Sequence, residues 1–188
     1  MTKKSVSLMD ASTPSRASFY KQISQGDWLF EILWDGYRAS AEVWNQVATI
    51  TGHTDKKVDL SGGFPDLCYW LPQAIPDGTV LDGWVTVPDD DGIPNYRAAQ
   101  RRANPAIFFA TDLPFHPGTT IERRAALTNM LTENEGVKIS PQLSFDDAWD
   151  IATKFGLKGV LAKKADSHYQ IGPSTDWIRI KQPGYHQY

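Results

Sequence analysis

The segment between positions 158 and 188 combines basic and aromatic residues in a pattern that is typical of nucleic-acid binding. It has five Lys and Arg residues against two Asp residues. The basic residues are Lys158, Lys163, Lys164, Arg179 and Lys181, and the aromatic residues are Tyr169, Trp177, Tyr185 and Tyr188. Cations neutralise backbone phosphates and rings stack on bases, so the segment predicts a basic nucleic-acid-binding face. A solvated sheet edge whose aromatic residues belong to the core is an equally good interpretation.

Other chemistries have weaker support in the sequence. Asp89, Asp90 and Asp91 are adjacent and lack the spaced ligands of a calcium loop, so they predict a solvated turn. None of the histidines has metal-ligand spacing; they are His53, His116, His168 and His186. The sequence has neither a Gly-x-Ser-x-Gly elbow nor a phosphate-cradling Gly-Lys-Ser/Thr loop. Because Cys68 is the only cysteine, an internal disulfide is excluded. We therefore expect no metal site.

The composition is that of a globular chain with a nearly balanced charge. The sequence has 188 residues, 41% of them hydrophobic, and a formal net charge of −3. This balance excludes a disordered chain and a protein that is strongly basic as a whole. No apolar run approaches the roughly 20 residues that cross a bilayer. Residues 1–16 are polar and do not resemble a secretory signal, so we expect a cytoplasmic protein with no membrane partner.

Hydrophobic periodicity predicts a mixed set of strands and helices. The predicted strands are residues 28–33, 37–44, 47–51, 79–87, 106–113, 159–164 and 177–181, and the predicted helices are 64–73, 96–103, 120–134 and 144–155. For the third helix we expect Thr120 as N-cap, with Arg123 and Arg124 facing water. The strands form hairpin-like groups with helices between them, which is typical of an α+β domain. We assign that domain to residues 27–188 and predict a flexible lead-in over residues 1–26.

Five segments, taken in order, resemble the motifs of ATP-dependent DNA ligases, and a sixth resembles a helix of that family. Glu31 to Arg38 resembles the nucleotide-binding motif Glu-x-Lys-x-Asp-Gly-x-Arg, and Leu81 to Val85 resembles Leu-Asp-Gly-Glu-Ile/Val. Phe108 to Leu113 resembles Phe-x-x-Phe-Asp-Leu, and the Arg-containing segment 122–127 resembles the helix that follows it in the family. Segments 156–164 and 177–181 resemble Gly-x-Glu-Gly-x-x-x-Lys and Trp-x-Lys-x-Lys. The chain is similar to the nucleotidyltransferase (adenylation) domain of these ligases, above all the bacterial non-homologous end-joining type.

This resemblance implies a specific α+β fold. In the nucleotidyltransferase fold of DNA ligases and mRNA capping enzymes, two antiparallel sheets flanked by helices enclose a cleft. The resemblance covers residues 27–182, which is most of the chain. We therefore expect the motif residues to meet in that cleft. The sequence stops soon after the last motif, so we expect no C-terminal oligonucleotide-binding (OB) barrel.

The resemblance fails at the positions that carry the family's chemistry. In the family, the motif lysine attacks the α-phosphate of ATP and forms a lysyl-adenylate, and Leu33 occupies that position. A leucine has no nitrogen lone pair with which to attack. Trp84 and Lys158 replace two family glutamates, and Trp84 offers no carboxylate oxygen to a metal. Thr111 replaces the aromatic residue that faces adenine and has no ring to stack on it.

Several motif positions keep the family pattern and are candidates for nucleotide or phosphate binding. They are Glu31, Asp35, Gly36, Arg38, Asp82, Lys163, Arg179 and Lys181. The alternative is that they serve folding, with Asp35-Gly36 as a turn and Asp82 as a cap for a backbone amide. Relative to an active ligase, the replacements at 33, 84 and 158 raise the net charge of the cleft by two. Such a cleft favours phosphate binding without magnesium.

These observations predict a catalytically inactive ligase-like domain that binds nucleic acid or a partner in DNA repair or processing. One alternative is a residual nucleotidyltransferase in which Lys158, Lys163 or Lys164 replaces the lost lysine. Another is a protein-interaction scaffold whose cleft is filled by Leu33 and Trp84. We expect no catalytic residue and no firmly bound cofactor, and binding of ATP or AMP stays open.

Overall fold

The chain folds into two β-sheets with helices packed on their outer faces. The structure is a computed structural model, and it describes residues 7–53, 57–102 and 104–185. The strands are β1 (Met9–Ser12), β2 (Trp28–Leu33), β3 (Tyr37–Trp44), β4 (Val47–Gly52), β5 (Val58–Asp59), β6 (Val80–Thr86), β7 (Ile107–Asp112), β8 (Val137–Ile139), β9 (Gly159–Lys164) and β10 (Gly172–Lys181). The helices are α1 (Arg16–Ile23), α2 (Pro65–Ala74), α3 (Tyr96–Arg101), α4 (Thr120–Met130) and α5 (Phe145–Lys154).

The first sheet is built from strands near the two ends of the described chain, and the second sheet is built from strands in its middle. The first sheet has the order β1-β10-β9-β2, and the second has the order β5-β4-β3-β6-β7-β8. Most neighbouring strands are antiparallel, as predicted, but β1 pairs with β10 and β7 with β8 in parallel. The connection from β7 to β8 contains α4, and such a crossover returns the chain in the same direction. Both sheets are therefore mixed.

The prediction of a flexible lead-in over residues 1–26 is wrong for the described residues 7–26. Strand β1 and helix α1 occupy this region, and the side chains of Met9 and Phe19 are fully buried. Ser15 caps α1 by accepting a hydrogen bond from the backbone N–H of Ser18. A strand of four residues is too short to show a convincing period in the sequence. Residues 1–6 lie outside the described residues.

The N-cap of helix α4 lies one residue earlier than predicted, and the helix buries a residue that was expected to face water. Its N-cap is Thr119, which forms a capping box with Glu122, rather than Thr120. Arg123 is fully buried because its guanidinium forms two hydrogen bonds with Asp112, at 2.7 and 3.2 Å. Arg124 is also mostly buried, since its guanidinium donates to the carbonyl of Ser140. The expectation of two water-facing arginines is therefore wrong.

Two hydrophobic clusters fill the interior. One packs the second sheet against α2 and α4. The other packs the first sheet against α1 and α5, and it also takes in Trp84 from the second sheet. The two sheets are therefore joined by apolar packing at the place where the motif residues were predicted to meet. Among the described helices, none is both long and apolar enough to cross a membrane.

Candidate functional site

A cavity of about 250 Å³ lies between the two sheets. Its lining comes from β2 and β10 of the first sheet, from β3 and β6 of the second sheet, from helix α3, and from residues just before β9 and just after β4. The lining residues are Leu33, Gly36, Tyr37, Arg38, His53, Trp84, Tyr96, Lys158, Arg179 and Lys181. They include four cationic side chains and no carboxylate. The predicted cleft is thus present, and its wall is positively charged.

One wall of the cavity is apolar. Leu33 and Trp84 are only 3% and 7% exposed and belong to the hydrophobic cluster that joins the sheets. Leu33 pairs with Gly159 across β2 and β9, and Trp84 pairs with Arg38 across β6 and β3. Each side chain is fixed in position by its sheet register. Leu33 and Trp84 thus fill part of the cleft, as the scaffold interpretation expects, while a cavity remains beside them.

Positively charged side chains line the cavity next to these apolar residues. Arg38 forms two hydrogen bonds with Asp82, at 2.8 and 2.6 Å, and the Lys158 amine lies 3.3 Å from an oxygen of Asp35. Within the described ranges, Arg179 and Lys181 form no ion pair. Two of the four cations are therefore paired with a carboxylate behind them, and the other two line the cavity without an ion pair among the described residues.

Lys158 is held in the cavity by a carboxylate and two aromatic rings. Its amine lies 5.3 Å from the ring centre of Trp84 and 5.8 Å from that of Tyr96, within the range of cation–π attraction. Burial lowers the pKa of the Lys158 amine, and Asp35 opposes this effect without cancelling it. The other oxygen of Asp35 accepts the backbone N–H of Tyr96 at 3.1 Å. Burial, and then a hydrogen bond to Asp35, raise the pKa of Tyr185.

The pH dependence of stability tests this description of Lys158. The pKa of its amine is lowered in the folded state, so between that pKa and about 10.4 the unfolded chain binds more protons. The free energy of unfolding should therefore rise with pH in this window through Lys158, by at most about 1.4 kcal/mol per pH unit. Lys158→Met should remove this component in urea titrations at several pH values. The control Lys164→Met, at an exposed site, should retain the rise with pH. If the free energy of unfolding changed with pH in the same way for the unaltered protein and both variants, the description would be contradicted.

Gly36 permits the close approach of the turn after β2 to the second sheet. A Cβ atom at this position would lie 2.2 Å from the carbonyl oxygen of Val85, closer than any real contact. Only glycine fits here without moving the backbone. The Asp35-Gly36 pair thus makes the turn that the folding interpretation expects, and it also brings Asp35 to Lys158.

Several candidate residues do not line the cavity. Asp35 lies behind Lys158, and Asp82 lies behind Arg38, where it also accepts a hydrogen bond from the Tyr169 hydroxyl at 2.7 Å. Glu31 and Lys163 form a buried ion pair of 2.9 Å between the sheets. Of the eight candidates, the structure brings Gly36, Arg38, Arg179 and Lys181 together around the cavity.

The structure adds lining residues that the motif comparison missed. Tyr37 and Tyr96 form an aromatic side of the cavity, with ring centres 5.1 Å apart. The imidazole of His53 lies 2.9 Å from a carboxylate oxygen of Asp10, 43 positions away in sequence. That separation leaves no local signal for His53. Tyr37, by contrast, lies inside the first motif segment and could have been included.

The predicted basic face near the carboxyl end is smaller than expected. Trp177 is fully buried and the hydroxyl of Tyr169 is bonded to Asp82, so neither ring is free to stack on a base. Lys163 is also fully buried, and the amine of Lys164 pairs with the exposed Asp166 at 3.5 Å. Tyr188 lies outside the described residues, and Tyr185 is half-buried. Within the described part of this segment, the accessible positive charge that remains without an ion pair is that of Arg179 and Lys181, which line the cavity.

The residues present do not fit a bound magnesium ion. Magnesium prefers carboxylate and water oxygens in an octahedral arrangement. The cavity lining has no carboxylate, and both Asp35 and Asp82 are bonded to cations. Over residues 7–53, 57–102 and 104–185, no group of three or more His, Cys, Asp or Glu side chains is placed to hold a metal.

Comparisons with known proteins give a consistent result. No family model matches. The multifunctional non-homologous end joining protein LigD of Pseudomonas aeruginosa is 31% identical over 186 residues, covering 89% of this chain and 22% of that protein. The solved ligase domain of Mycobacterium tuberculosis LigD is 25% identical with a TM-score of 0.73, over 94% of this chain and 60% of that one. This chain is homologous to the ligase domains of LigD proteins. A mycobacterial DNA ligase D complexed with ATP and MES is equally similar, with 25% identity and a TM-score of 0.72, over 94% of this chain and 60% of that one.

The homology to LigD ligase domains confirms the family resemblance and the fold. The architecture is that of the nucleotidyltransferase domain of ATP-dependent DNA ligases, with two sheets flanked by helices. The chain spans about a fifth of the length of the LigD protein from Pseudomonas aeruginosa. The comparisons therefore concern the ligase domain, and the activities of the whole LigD proteins are not carried over with it.

Proposed function

We propose that this domain is a DNA ligase-like module that does not adenylate itself and that binds phosphate groups of nucleic acid in a DNA repair or end-processing setting. The observation that carries the proposal is Leu33 in the cavity wall, at the position of the lysine nucleophile. Nucleophilic attack needs a lone pair, and a leucine side chain has none. The retained cations of the cavity support phosphate binding.

The surrounding lysines support the same conclusion. Lys163 is fully buried with three partners, and Lys164 does not line the cavity. Arg179 and Lys181 form no ion pair within the described residues, which favours an anionic ligand. The cavity of about 250 Å³ is smaller than the roughly 300–1,000 Å³ typical of small-molecule sites. It suits a phosphate-bearing fragment better than a whole nucleoside triphosphate.

Lys158 carries a second candidate function, residual adenylation. Its amine lines the cavity, and its lowered pKa increases the fraction with a free lone pair. In this alternative the Nζ atom attacks the α-phosphorus of ATP, and an N–P bond forms while the P–O bond to pyrophosphate breaks. Asp35 accepts the amine proton, and pyrophosphate leaves. The 3.3 Å contact with Asp35 opposes this reaction, because it favours the protonated amine.

One experiment separates these functions. The protein is incubated with ATP and magnesium, and its intact mass is measured; retention of a nicked duplex on the protein is then measured over a range of salt concentrations. We expect no gain of an adenylyl group, no sealing, and retention that weakens as salt rises. The double variant Arg179→Gln/Lys181→Gln should lose affinity and reduce the salt dependence by about two contacts.

The outcomes are distinct. Stoichiometric adenylation of the protein would overturn the proposal. If that mass gain disappears in Lys158→Met, the residual enzyme is correct. Salt-independent retention, or none at low salt, would contradict nucleic-acid binding and leave a protein partner as the occupant of the cleft. A cytoplasmic location stays a prediction from the sequence.

A further inference from the structure

We propose that the cavity binds a dianionic phosphate group without a divalent cation, and that Arg179 and Lys181 supply the positive charge, with the Lys158 ammonium beside them. This inference rests on the proposed phosphate-binding function and specifies how the charge of the ligand is balanced. It starts from the cavity wall, which has four cationic side chains and no carboxylate among the described residues. A divalent cation entering this space would meet like charges and no carboxylate from a side chain of the lining.

The carboxylates nearest the cavity are already committed to other partners. Both oxygens of Asp82 accept hydrogen bonds from Arg38, and one also accepts the Tyr169 hydroxyl. Asp35 accepts the backbone N–H of Tyr96 with one oxygen, and its other oxygen forms an ion pair with the Lys158 amine at 3.3 Å. To coordinate a metal, either group would leave a buried cation without its partner, which is costly. The positive charge of the cavity therefore comes from side chains of the protein and not from a bound metal ion.

The two cations that form no ion pair in the described part of the chain match the charge of a phosphate dianion. Arg179 and Lys181 form no ion pair in the described part of the chain, and they face the same cavity as Lys158. Arg179 is positioned by a hydrogen bond to the Thr13 hydroxyl at 2.6 Å. Arginine presents several donors in one plane, while lysine acts as a point charge. Together the three side chains offer directed donors and net attraction to one phosphate.

The ligand class is therefore a terminal phosphate or a pyrophosphate, and its source is either a free nucleotide or a nucleic-acid end. Binding is measured by calorimetry on the full chain with inorganic pyrophosphate, with AMP, and with one duplex carrying a 5′-phosphate or a 5′-hydroxyl. Each titration is run in EDTA and again in excess magnesium. A preference for the 5′-phosphate duplex over AMP identifies a nucleic-acid end, and the reverse preference identifies a nucleotide.

We expect pyrophosphate to bind in EDTA, and magnesium to leave the affinity within about twofold or to weaken it, because magnesium competes with the protein for the anion. Tenfold tighter binding in magnesium than in EDTA would overturn the inference, and so would the absence of binding in both. Retention of DNA together with a magnesium requirement would overturn only this inference. Formation of an adenylate would instead overturn the proposed function.

Two variants test the individual charges. Lys158→Glu should weaken binding in EDTA by more than tenfold, because it replaces an attractive charge with a repulsive one. Since this residue is buried beside Asp35, Arg179→Gln serves as a second test at a less buried position and should weaken binding severalfold. Lys164→Gln, which changes an exposed lysine outside the cavity, is the control and should bind as the unaltered protein does. Equal affinity for all four proteins in EDTA would contradict the inference.

Discussion

Replacing Lys163 by methionine is expected to lower the free energy of unfolding by about 3–5 kcal/mol, as for other broken buried ion pairs. The Lys163 amine is 1% exposed and lies 2.9 Å from Glu31. It also donates to the carbonyl of Thr111 at 2.7 Å and lies 4.3 Å from the ring centre of Trp177. Methionine keeps most of the volume of lysine but leaves the Glu31 carboxylate buried without its main cation.

This effect follows from where Lys163 lies rather than from any ligand. Lys163 is on β9 in the first sheet, and Thr111 is on β7 in the second, so its hydrogen bond joins the sheets. The second oxygen of Glu31 has no hydrogen-bond partner, and the Arg124 guanidinium is 3.7 Å from the first. Glu31 therefore depends on Lys163 for charge balance.

The adjacent residue provides a matched control. The Lys164 side chain is 39% exposed and pairs with Asp166, which is 76% exposed. Exposed ion pairs contribute about 0–1 kcal/mol, so Lys164→Met should change the free energy of unfolding by no more than that. Urea denaturation of both variants measures the difference. Equal stability of the two variants would show that Lys163 is not structural and would return it to the phosphate-binding candidates.

A second large loss is expected for Asp82→Asn, again about 3–5 kcal/mol. The asparagine has nearly the same shape, but it removes the charge that balances Arg38 and one of the acceptor oxygens. Asp82 is fully buried and receives two hydrogen bonds from Arg38 and one from Tyr169. Arg38 also donates to the backbone carbonyl of Met9, at 3.0 Å. The variant thus weakens the link between β3 in the second sheet and β1 in the first.

Asp166→Asn is the matched control for this prediction. It makes the same chemical change at an exposed side chain, where the expected effect on the free energy of unfolding is below about 0.5 kcal/mol. Thermal denaturation of the two variants should separate them clearly. If Asp82→Asn were as stable as the control, the buried pair with Arg38 would contribute nothing to the fold.

The sequence predicted the strands and helices with strong periodicity and missed the short edge elements. Strands β2, β3 and β9 match the predicted ranges, because each has a long apolar or alternating pattern. Strand β5 has two residues and β8 has three, too few for a period. Such strands are defined by the neighbour that they pair with, which a single sequence does not reveal.

The site was predicted less completely because motif matching identifies residue types and not the direction of a side chain. Lys163 keeps the family residue type, yet it lies between the sheets, while Lys158 departs from the family and lines the cavity. Arg123 is buried because its guanidinium pairs with Asp112, which lies 11 positions earlier and on a different element. His53 lines the cavity because the fold of the second sheet places it there, and no sequence motif marks it. Each of these placements depends on tertiary contacts.

The composition of the first sheet has a consequence for how the protein acquires its structure during synthesis. Strands β1 and β2 are made early and β9 and β10 late, so the sheet is completed only after residue 181 leaves the ribosome. Pairing over such separations closes a long loop, which slows folding. Until then β2 exposes an apolar strand edge in the nascent chain. If the chain were released before β9 is synthesised, the fragment should therefore be prone to aggregation, and the cell would have to shield or degrade it.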